Sequence, residues 1–424
     1  MNATPVTTSI VIPYYADQTS LDIVLAALAA QTYPTACMEV IVADDGSPQP
    51  PQLGSRPYAS RLVRQEDRGF RAAAARNLGA AVASGQVVCF LDGDTIPEPD
   101  YVATMTARVA SSGALVVGRR RHADLRGLSS AQVVAWLARQ SAGAPAQAGD
   151  PSVLAEPAWL AQGYADSDNL RAADERSYRF VISAVLAMPA ELFARVGGFD
   201  ASFVGYGGED WELANRLWLA GADLRYEPAA VAWHDGPDIA GREVGLSEQQ
   251  REQARREKNA ETLRCAHLIT EPGARDPGLV WEYPDIVVTL DDRGYSPAQV
   301  MRCVSDLVRG SDARVWLRDG ALLTGGGWPS TDLRVVAGPP PAAALARARF
   351  QVQVDRPVIL TGASLAQLCA HAPCDFDAGV RIRRTRDLAR GIDQVAVGDA
   401  CAVVALTEEP SLEAWWGWQR GVAQ

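Results

Sequence analysis

The chain has 424 residues, 48% of them hydrophobic and 21% charged, which suits a large folded core and excludes a disordered protein. Its formal net charge of -11 argues against a general binder of nucleic acids or anionic membranes, because such partners need concentrated Lys and Arg. No run approaches the roughly 18 apolar residues of a membrane span, and residues 1–8 do not resemble a signal peptide. With an odd number of well-separated cysteines, this predicts a cytoplasmic protein with no integral membrane segment.

The first part of the chain alternates between short β-rich runs and helical patterns. The first helix is expected to begin after a cap at Thr19 or Ser20, and the second to cover residues 71–82. Strands are predicted at residues 9–12, 40–42, 62–63 and 87–91. This alternation indicates parallel βαβ units, and in open sheets of that kind ligands bind beyond the carboxyl ends of the strands.

Four carboxylates follow the ends of these strands and are expected to converge. Asp44 and Asp45 come after the second strand, and Asp92 and Asp94 after the fourth, on either side of Gly93. A divalent cation such as Mn²⁺ or Mg²⁺ prefers oxygen ligands and is commonly held by one or two carboxylates together with substrate phosphates. Glycine between the aspartates lets the backbone approach closely. A lone D-x-D triplet is more often a surface turn, so its position after a buried strand is what favours a metal site.

The middle of the chain has less regular patterns. Residues 141–157, rich in Ala, Pro and Gly, are typical of a mobile loop or lid, and residues 181–188 of a strand. A helix is predicted over residues 209–220, stopped by a glycine, and a further strand ends at His234.

The segment Gly207-Gly208-Glu209-Asp210-Trp211 opens that helix. Carboxylates in a first helical turn are kept ionised by the macrodipole, and an ionised carboxylate can remove a proton from an attacking hydroxyl. The glycine pair would let backbone N–H groups approach a phosphate or sugar, and the tryptophan could stack on a sugar face. An acidic helix start with a core-packed tryptophan is an equally good interpretation of these residues alone.

Three basic or amide residues and one histidine complete the candidates. Arg71, Arg76 and Asn77 precede the D-x-D triplet, and the forked donors of arginine suit diphosphate oxygens. His234, at a strand end, could complete the coordination of Mn²⁺, although a single histidine is more often structural.

A domain boundary is expected in the Pro/Gly-rich stretch 271–284, after a charged helix over residues 247–268. The predicted domains are residues 1–270 and 271–424. The second repeats an α/β pattern with Asp291-Asp292 after its first strand, but it lacks a later D-x-D and a second Gly-Gly-Glu-Asp. We therefore expect a smaller, catalytically silent α/β module there. A degenerate repeat of the first domain is one interpretation of its pattern.

Taken together, the motifs resemble the family 2 glycosyltransferases. Their typical segments occur in order at residues 12–15 (IPYY), 31–34 (QTYP), 39–47 (EVIVADDGS), 75–79 (ARNLG) and 90–94 (FLDGD). Residues 197–200 (GGFD) and 207–212 (GGEDWE) are similar to the acceptor-side segment of β-1,4-galactosyltransferases and chondroitin polymerases. The resemblance covers roughly residues 8–240. It implies an α/β GT-A fold, Rossmann-like with a mostly parallel central sheet, and inversion at the anomeric carbon.

The resemblance also assigns roles. Asp94 and His234 would bind Mn²⁺ or Mg²⁺, Asp210 would be the catalytic base, and Glu209 would contact sugar hydroxyls. The donor would be a nucleotide diphosphate sugar, most often of uridine. The residues expected around it are Pro13, Tyr15, Asp44, Asp45, Arg71, Arg76, Asn77, Asp92, Gly93, Gly207, Gly208 and Trp211.

Two departures from the family pattern and two other functions bear on this interpretation. Ala16 stands where the family often has Asn, and the Q-x-x-R-W motif of processive membrane synthases is absent, which favours adding one or a few sugars. The acceptor could be a glycan, a lipid-linked intermediate, a natural product or a peptide. A non-catalytic sugar-binding subunit is one alternative. A nucleotidyltransferase is less favoured, since Pro13-Tyr14-Tyr15 replaces its Gly-rich phosphate loop.

Overall fold

The computed structural model describes residues 7–238, 246–276, 278–325, 331–392 and 394–417. The chain divides into two compact units, which are treated separately. The first comprises Met1–Trp218 and Ala222–Cys265, and the second comprises Leu219–Gly221 and Ala266–Gln424. Within the described ranges, no helix has both the length and the apolar character needed to cross a bilayer.

The first unit is built around one large sheet. Its strands are β1 (Thr8–Tyr14), β2 (Met38–Asp44), β3 (Ala59–Arg64), β4 (Val87–Leu91), β5 (Thr95–Pro97), β6 (Leu115–Asp124), β7 (Ser152–Leu154), β8 (Val185–Pro189) and β9 (Leu224–Asp235). The helices that begin in it are α1 (Gln18–Ala29), α2 (Ala72–Ala80), α3 (Tyr101–Ser112), α4 (Ser130–Ser141), α5 (Ala158–Asp166), α6 (Ala190–Arg195), α7 (Glu209–Leu219) and α8 (Glu248–Leu268). Short 3-10 turns cover Thr35–Cys37 and Ser177–Phe180.

The strand order is β3-β2-β1-β4-β8-β6-β9-β5, with β7 paired to β6. Strands β1, β2, β3, β4, β6 and β9 run in one direction, while β5, β7 and β8 run against them. The central strands are continuous apolar runs, as expected where both faces of a parallel sheet are covered: β4 is buried throughout, and Ile10, Val11 and Ile12 are fully buried. The predicted α/β class, with a mostly parallel central sheet, is confirmed.

The strand register determines where the polar residues meet. Tyr14 pairs with Asp44 at the ends of β1 and β2, and β4 lies on the other side of β1 in the same direction. The residues that follow these three strands therefore leave the sheet at one edge. On the far side, the antiparallel pairing of β5 with β9 sets Thr95 opposite His234. This brings the D-x-D turn and the histidine together, although they are distant in sequence.

Several sequence-based expectations need correction. The cap of α1 is Asp17, whose carboxylate accepts from the Ser20 N–H at 3.0 Å, so the helix begins before the predicted Thr19 or Ser20. The strand predicted over residues 181–188 is β8, Val185–Pro189, because residues 181–184 form a turn segment between the 3-10 turn at Ser177–Phe180 and the strand. Part of the predicted loop 141–157 is the edge strand β7.

The second unit has its own sheet and core. Its strands are β10 (Ile286–Leu290), β11 (Ala313–Leu317), β12 (Val335–Ala337), β13 (Phe350–Val354), β14 (Val358–Leu360), β15 (Cys374–Phe376), β16 (Val380–Arg384), β17 (Ala396–Val397) and β18 (Val403–Ala405). Its helices are α9 (Pro297–Val308), α10 (Ala321–Thr324), α11 (Ala342–Arg347), α12 (Leu365–Cys369), α13 (Thr385–Ala389) and α14 (Leu412–Trp416), with a 3-10 turn at Pro272–Ala274.

The sheet order in the second unit is β12-β11-β10-β13-β16-β15-β17, while β14 and β18 form a separate pair. Strands β12, β11, β10 and β13 are parallel to one another, and β16 is antiparallel to β13. This repeats the order and directions of β3-β2-β1-β4-β8 in the first unit. A degenerate repeat of the first unit would give this pattern. That the second unit arose as such a repeat stays a prediction.

Candidate active site

A cavity of about 400 Å³ opens at the carboxyl edge of the sheet and is named the Asp94 cavity. Its walls come from the ends of β1, β2, β4 and β9. The predicted site residues that line it are Pro13, Tyr15, Asp45, Arg76, Asp92, Gly93, Asp94 and His234. The residues predicted from the strand ends therefore line a cavity at the edge of the sheet where ligands gather in folds of this kind.

Asp94 and His234 are in contact inside this cavity. The Asp94 Oδ2 and His234 Nε2 atoms are 3.3 Å apart, and the aspartate side chain is 46% exposed. The carbonyl oxygen of Gly236 lies 3.2 Å from His234 Nδ1 and can only accept, so Nδ1 carries a proton. A neutral ring then turns its Nε2 lone pair towards the aspartate. That approach is favourable only with a proton or a metal cation between the two groups, and the donor set suits Mn²⁺.

A second histidine lies behind the first. His122 pairs with His234 across strands β6 and β9, the two rings are 5.1 Å apart, and His122 Nδ1 also lies 3.1 Å from the Gly236 carbonyl. Burial, followed by the charge of Arg120, lowers the pKa of His122. This packed neighbour limits the movement of the His234 ring.

Arg76 is a buried clamp between two carboxylates. Its Nη2 donates to Asp92 Oδ1 at 2.7 Å and its Nη1 to Glu209 Oε1 at 2.8 Å, while its side chain is 4% exposed. The guanidinium also lies 5.4 Å from the Phe199 ring centre. Burial alone would lower the pKa of Arg76, but the two carboxylates raise it, so the group stays charged. Arg76 thereby ties the end of β4 to the start of α7.

Asp210 lies in the wall of a second cavity of about 490 Å³, named the Asp210 cavity. Its Oδ1 accepts from the Trp211 N–H at 2.8 Å and its Oδ2 from the Ser183 N–H at 3.2 Å. Burial, and then the adjacent charge of Glu209, raise the pKa of Asp210 to about 7 against the lowering effect of these N–H groups. A carboxylate with such a pKa can take a proton near neutrality.

The two cavities share a common wall. Phe70, Ala72, Arg76, Asp92, Arg120 and Tyr206 line both. The Phe70 and Tyr206 rings are 6.2 Å apart, and the Gly205 N–H donates to the Phe70 carbonyl at 2.9 Å. The two cavities therefore adjoin, and a ligand in one would lie next to a ligand in the other.

The glycine pair before α7 serves the packing of the site. Gly207 and Gly208 have φ of +90° and +88°, which side-chain-bearing residues rarely adopt. A Cβ on Gly207 would come within 2.9 Å of the Glu261 carboxylate, and one on Gly208 within 2.7 Å of Cys265 Sγ. Both glycines also line the Asp210 cavity, together with Glu209 and Trp211.

Three predicted residues are not brought into either cavity. Asp44 is fully buried and its Oδ1 accepts from both the N–H and the hydroxyl of Ser47, so it holds the turn after β2. The side chain of Arg71 donates to the Glu66 carbonyl, and its backbone N–H donates to Asp45 Oδ2 at 2.6 Å. The side-chain amide of Asn77 bonds the backbone of Phe199 twice: Nδ2 donates to the Phe199 carbonyl, and Oδ1 accepts from the Phe199 N–H. These contacts organise loops around the site.

Other lining residues were not anticipated: Phe70, Arg120, Trp159, Tyr206, Asp238, Lys258 and Glu261. One signal was available, because Lys258 is the only lysine in the sequence. Phe70 and Tyr206 directly precede the predicted site residues Arg71 and Gly207. Trp159, Lys258 and Glu261 lie on α5 and α8, whose packing near α7 periodicity does not reveal.

Comparison with known proteins places this site in context. Residues 9–142 match the description "Glycosyl transferase family 2", and residues 172–232 match "N-terminal domain of galactosyltransferase". The chain is 31% identical over 256 residues to a chondroitin synthase of Pasteurella multocida (strain Pm70), which covers 56% of this chain and 26% of that protein. It is 35% identical over 240 residues to a validoxylamine A glucosyltransferase of Streptomyces hygroscopicus subsp. limoneus, covering 51% of this chain and 49% of that protein.

Among solved structures, the chain is similar to a mannosyltransferase of Pyrobaculum calidifontis in complex with GDP-Man and Mn²⁺. The TM-score is 0.39 at 18% identity, covering 62% of this chain and 65% of that one. The chain spans about half or less of the length of the curated relatives named above. The resemblance to the family, read from the order of motifs, is confirmed.

Proposed function

We propose that this chain, whose residues 9–142 form a glycosyl transferase family 2 domain, transfers a sugar from a nucleotide diphosphate sugar to an acceptor hydroxyl with inversion at the anomeric carbon. The donor is a uridine diphosphate sugar. The observation that carries the proposal is the pair of contiguous cavities, one holding Asp94 and His234 and the other holding Asp210.

The donor occupies the Asp94 cavity. Pro13, Tyr15 and Asp45 surround the nucleoside, because they lie at or just after the ends of β1 and β2 at this edge. Asp94 and His234 hold the cation, Mn²⁺ or Mg²⁺, and no described group of three His, Cys, Asp or Glu side chains forms a complete metal site. The donor phosphates then supply the remaining oxygen ligands. When bound, the cation supplies positive charge for the departing diphosphate.

Asp210 is the catalytic base in this proposal. As the acceptor oxygen attacks the anomeric carbon, its proton passes to a carboxylate oxygen of Asp210, and the bond from that carbon to the phosphate oxygen breaks. The nucleotide diphosphate leaves with the electron pair. The two backbone N–H groups that contact Asp210 orient the carboxylate, and Ser183 connects it to the segment before β8.

Glu209 and Arg76 prepare the site for this step. Arg76 fixes one oxygen of Glu209 and one of Asp92, so both carboxylates keep their orientation as ligands enter. Glu209 lines the Asp210 cavity and is placed to accept hydrogen bonds from hydroxyls of the transferred sugar. Arg76 also offsets the charge of two carboxylates that would otherwise repel the donor diphosphate.

A thermal-shift screen of nucleotide sugars, with and without Mn²⁺, tests the donor half of the proposal. Ligands that bind only the folded protein raise its melting temperature. At a free ligand concentration of 100 times Kd, the free energy of unfolding rises by about 2.7 kcal/mol. We expect a shift with UDP-sugars that requires Mn²⁺ and is lost in Asp94→Ala. Release of UDP from the same sugar then tests turnover. No shift with any nucleotide sugar, or a shift unaffected by Mn²⁺, would refute the proposal.

A further inference from the structure

The Asp210 cavity has an aromatic wall beside the proposed base. Trp159 of α5 is 48% exposed, and its ring lies 6.5 Å from Trp211 at 75° and 6.4 Å from Phe180 at 35°. Tyr178 also packs against Trp211, with ring centres 6.3 Å apart. An indole held in place by neighbouring rings loses little conformational entropy on binding a ligand, and it offers a flat apolar face.

The cations of the Asp210 cavity are already paired. Among the described residues that line it, Arg76, Arg120 and Lys258 face five carboxylates. Arg76 is bonded to Asp92 and Glu209, as described above. Arg120 lies 3.5 Å from the Asp238 carboxylate, and Lys258 lies 2.7 Å from that of Glu261.

This charge arrangement selects against anionic ligands. Among the lining residues that the structure describes, carboxylates outnumber cations by five to three, so one carboxylate remains in excess even when Asp210 is protonated. A phosphate or uronate in the cavity would lose water and would have to break an existing ion pair to find a cation. A ligand rich in hydroxyl groups, in contrast, can donate to the carboxylates of Asp210, Asp238 and Glu261 without adding charge.

We infer that the Asp210 cavity is the acceptor site and that it takes an uncharged, ring-bearing polyol, a sugar or cyclitol, whose apolar face stacks on Trp159. This inference rests on the proposed function and adds the chemical class of the acceptor to it. The hydroxyl next to Asp210 is the one that receives the sugar. Phosphorylated, lipid-diphosphate and uronate acceptors are excluded by the same argument.

A matched pair of acceptors tests the charge argument. Methyl β-glucopyranoside and methyl β-glucopyranosiduronate share one ring and differ in a hydroxymethyl group against a carboxylate, and myo-inositol adds a neutral cyclitol. With the UDP-sugar and Mn²⁺ found by the donor screen, UDP release is measured with each compound and without any acceptor. At least one neutral compound should raise release above the acceptor-free rate, with kcat/KM at least about 10 times that of the uronate. An equal or better uronate, or no stimulation by either neutral compound, would overturn the inference.

Variants at the aromatic wall test the stacking argument. Trp159→Ala should lower the ratio of transfer to donor hydrolysis by about 10-fold or more, and Trp159→Phe should retain most of it, because a flat ring remains. Trp416→Ala is the matched control, since Trp416 is 45% exposed in the second unit. It should change neither rate. A Trp159→Ala ratio equal to wild type would contradict the inference.

These outcomes separate the two levels of the argument. If wild-type protein shows neither donor binding nor acceptor-free UDP release, the proposed function fails. If it hydrolyses the donor but prefers the uronate, only the assignment of the acceptor class fails.

Discussion

Replacing Arg76 tests the electrostatic core of the site. Arg76→Met keeps the apolar stem of the side chain but removes the charge that lies 2.7 Å from Asp92 and 2.8 Å from Glu209. Leaving buried charges without their partner costs about 3–5 kcal/mol. The Glu209 side chain is 9% exposed and carries most of this cost, whereas the Asp92 side chain is 30% exposed and is partly compensated by water. We therefore expect the free energy of unfolding of Arg76→Met to be about 4 kcal/mol lower than that of wild type.

The loss should be smaller when a carboxylate is removed with the arginine. Glu209→Gln alone should lower the free energy of unfolding by about 1–2 kcal/mol, because Arg76 keeps its ion pair with Asp92. In the double variant Arg76→Met/Glu209→Gln no buried Glu209 charge is left unpaired, so the two changes should be coupled by about 2 kcal/mol. The charge of Arg76 also opposes the rise in the pKa of Asp210, so the Arg76→Met defect should shrink as Asp210 takes up a proton between pH 8 and pH 5.

Thermal unfolding of the full chain, followed by tryptophan fluorescence, measures these changes. For a unit of this size, about 4 kcal/mol lowers the melting temperature by roughly 10 °C. Arg126→Met is the control, because Arg126 is 85% exposed and its pair with Asp124 should not affect stability measurably. An Arg76→Met melting temperature as high as that of the control, or strictly additive single and double variants, would refute the account of the clamp.

Three further predictions follow from the site. His234→Ala should weaken Mn²⁺-dependent donor binding about 10-fold or more by calorimetry, and unchanged metal dependence would contradict its role as a ligand. Asp210 has its pKa raised from 3.8 to about 7. Protonation therefore favours the folded state, and this contribution is lost as pH rises through about 7. Between pH 5 and pH 8, the free energy of unfolding of Asp210→Asn should thus rise by on the order of 2 kcal/mol relative to that of wild type. A difference in stability that stays constant over this range would count against the raised pKa. Gly207→Ala should lower melting by several degrees, because its φ is +90° and Glu261 is 2.9 Å from the added carbon; a neutral change would refute this.

Much of the first unit could be predicted because its sequence signals are local. Buried parallel strands such as β4 are uninterrupted apolar runs, and the predicted bounds of residues 87–91 agree with the structure. The start of α7 at Glu209 was predicted from the glycine pair before it. The convergence of Asp94 and His234 followed from the resemblance, and the pairing of β5 with β9 supplies its physical cause.

The parts that could not be predicted depend on tertiary packing. Asp44 and Asp45 are adjacent and chemically alike, yet only Asp45 lines the Asp94 cavity, because Asp44 turns back to hold Ser47. Arg76 was expected to contact a diphosphate, and its burial against Glu209 depends on residues 133 positions apart. The aromatic wall at Trp159 is formed by α5, whose sequence has no motif at all.

The central claim is that a cation-assisted donor site and a carboxylate base share one cleft, and Asp210→Asn tests it most directly. Calorimetric binding of the UDP-sugar with Mn²⁺ and turnover with acceptor should be measured on the same preparation. The account predicts donor affinity within a few-fold of wild type and turnover reduced by on the order of 100-fold or more. Turnover close to wild type would show that Asp210 is not the base, and the proposed mechanism would have to be abandoned.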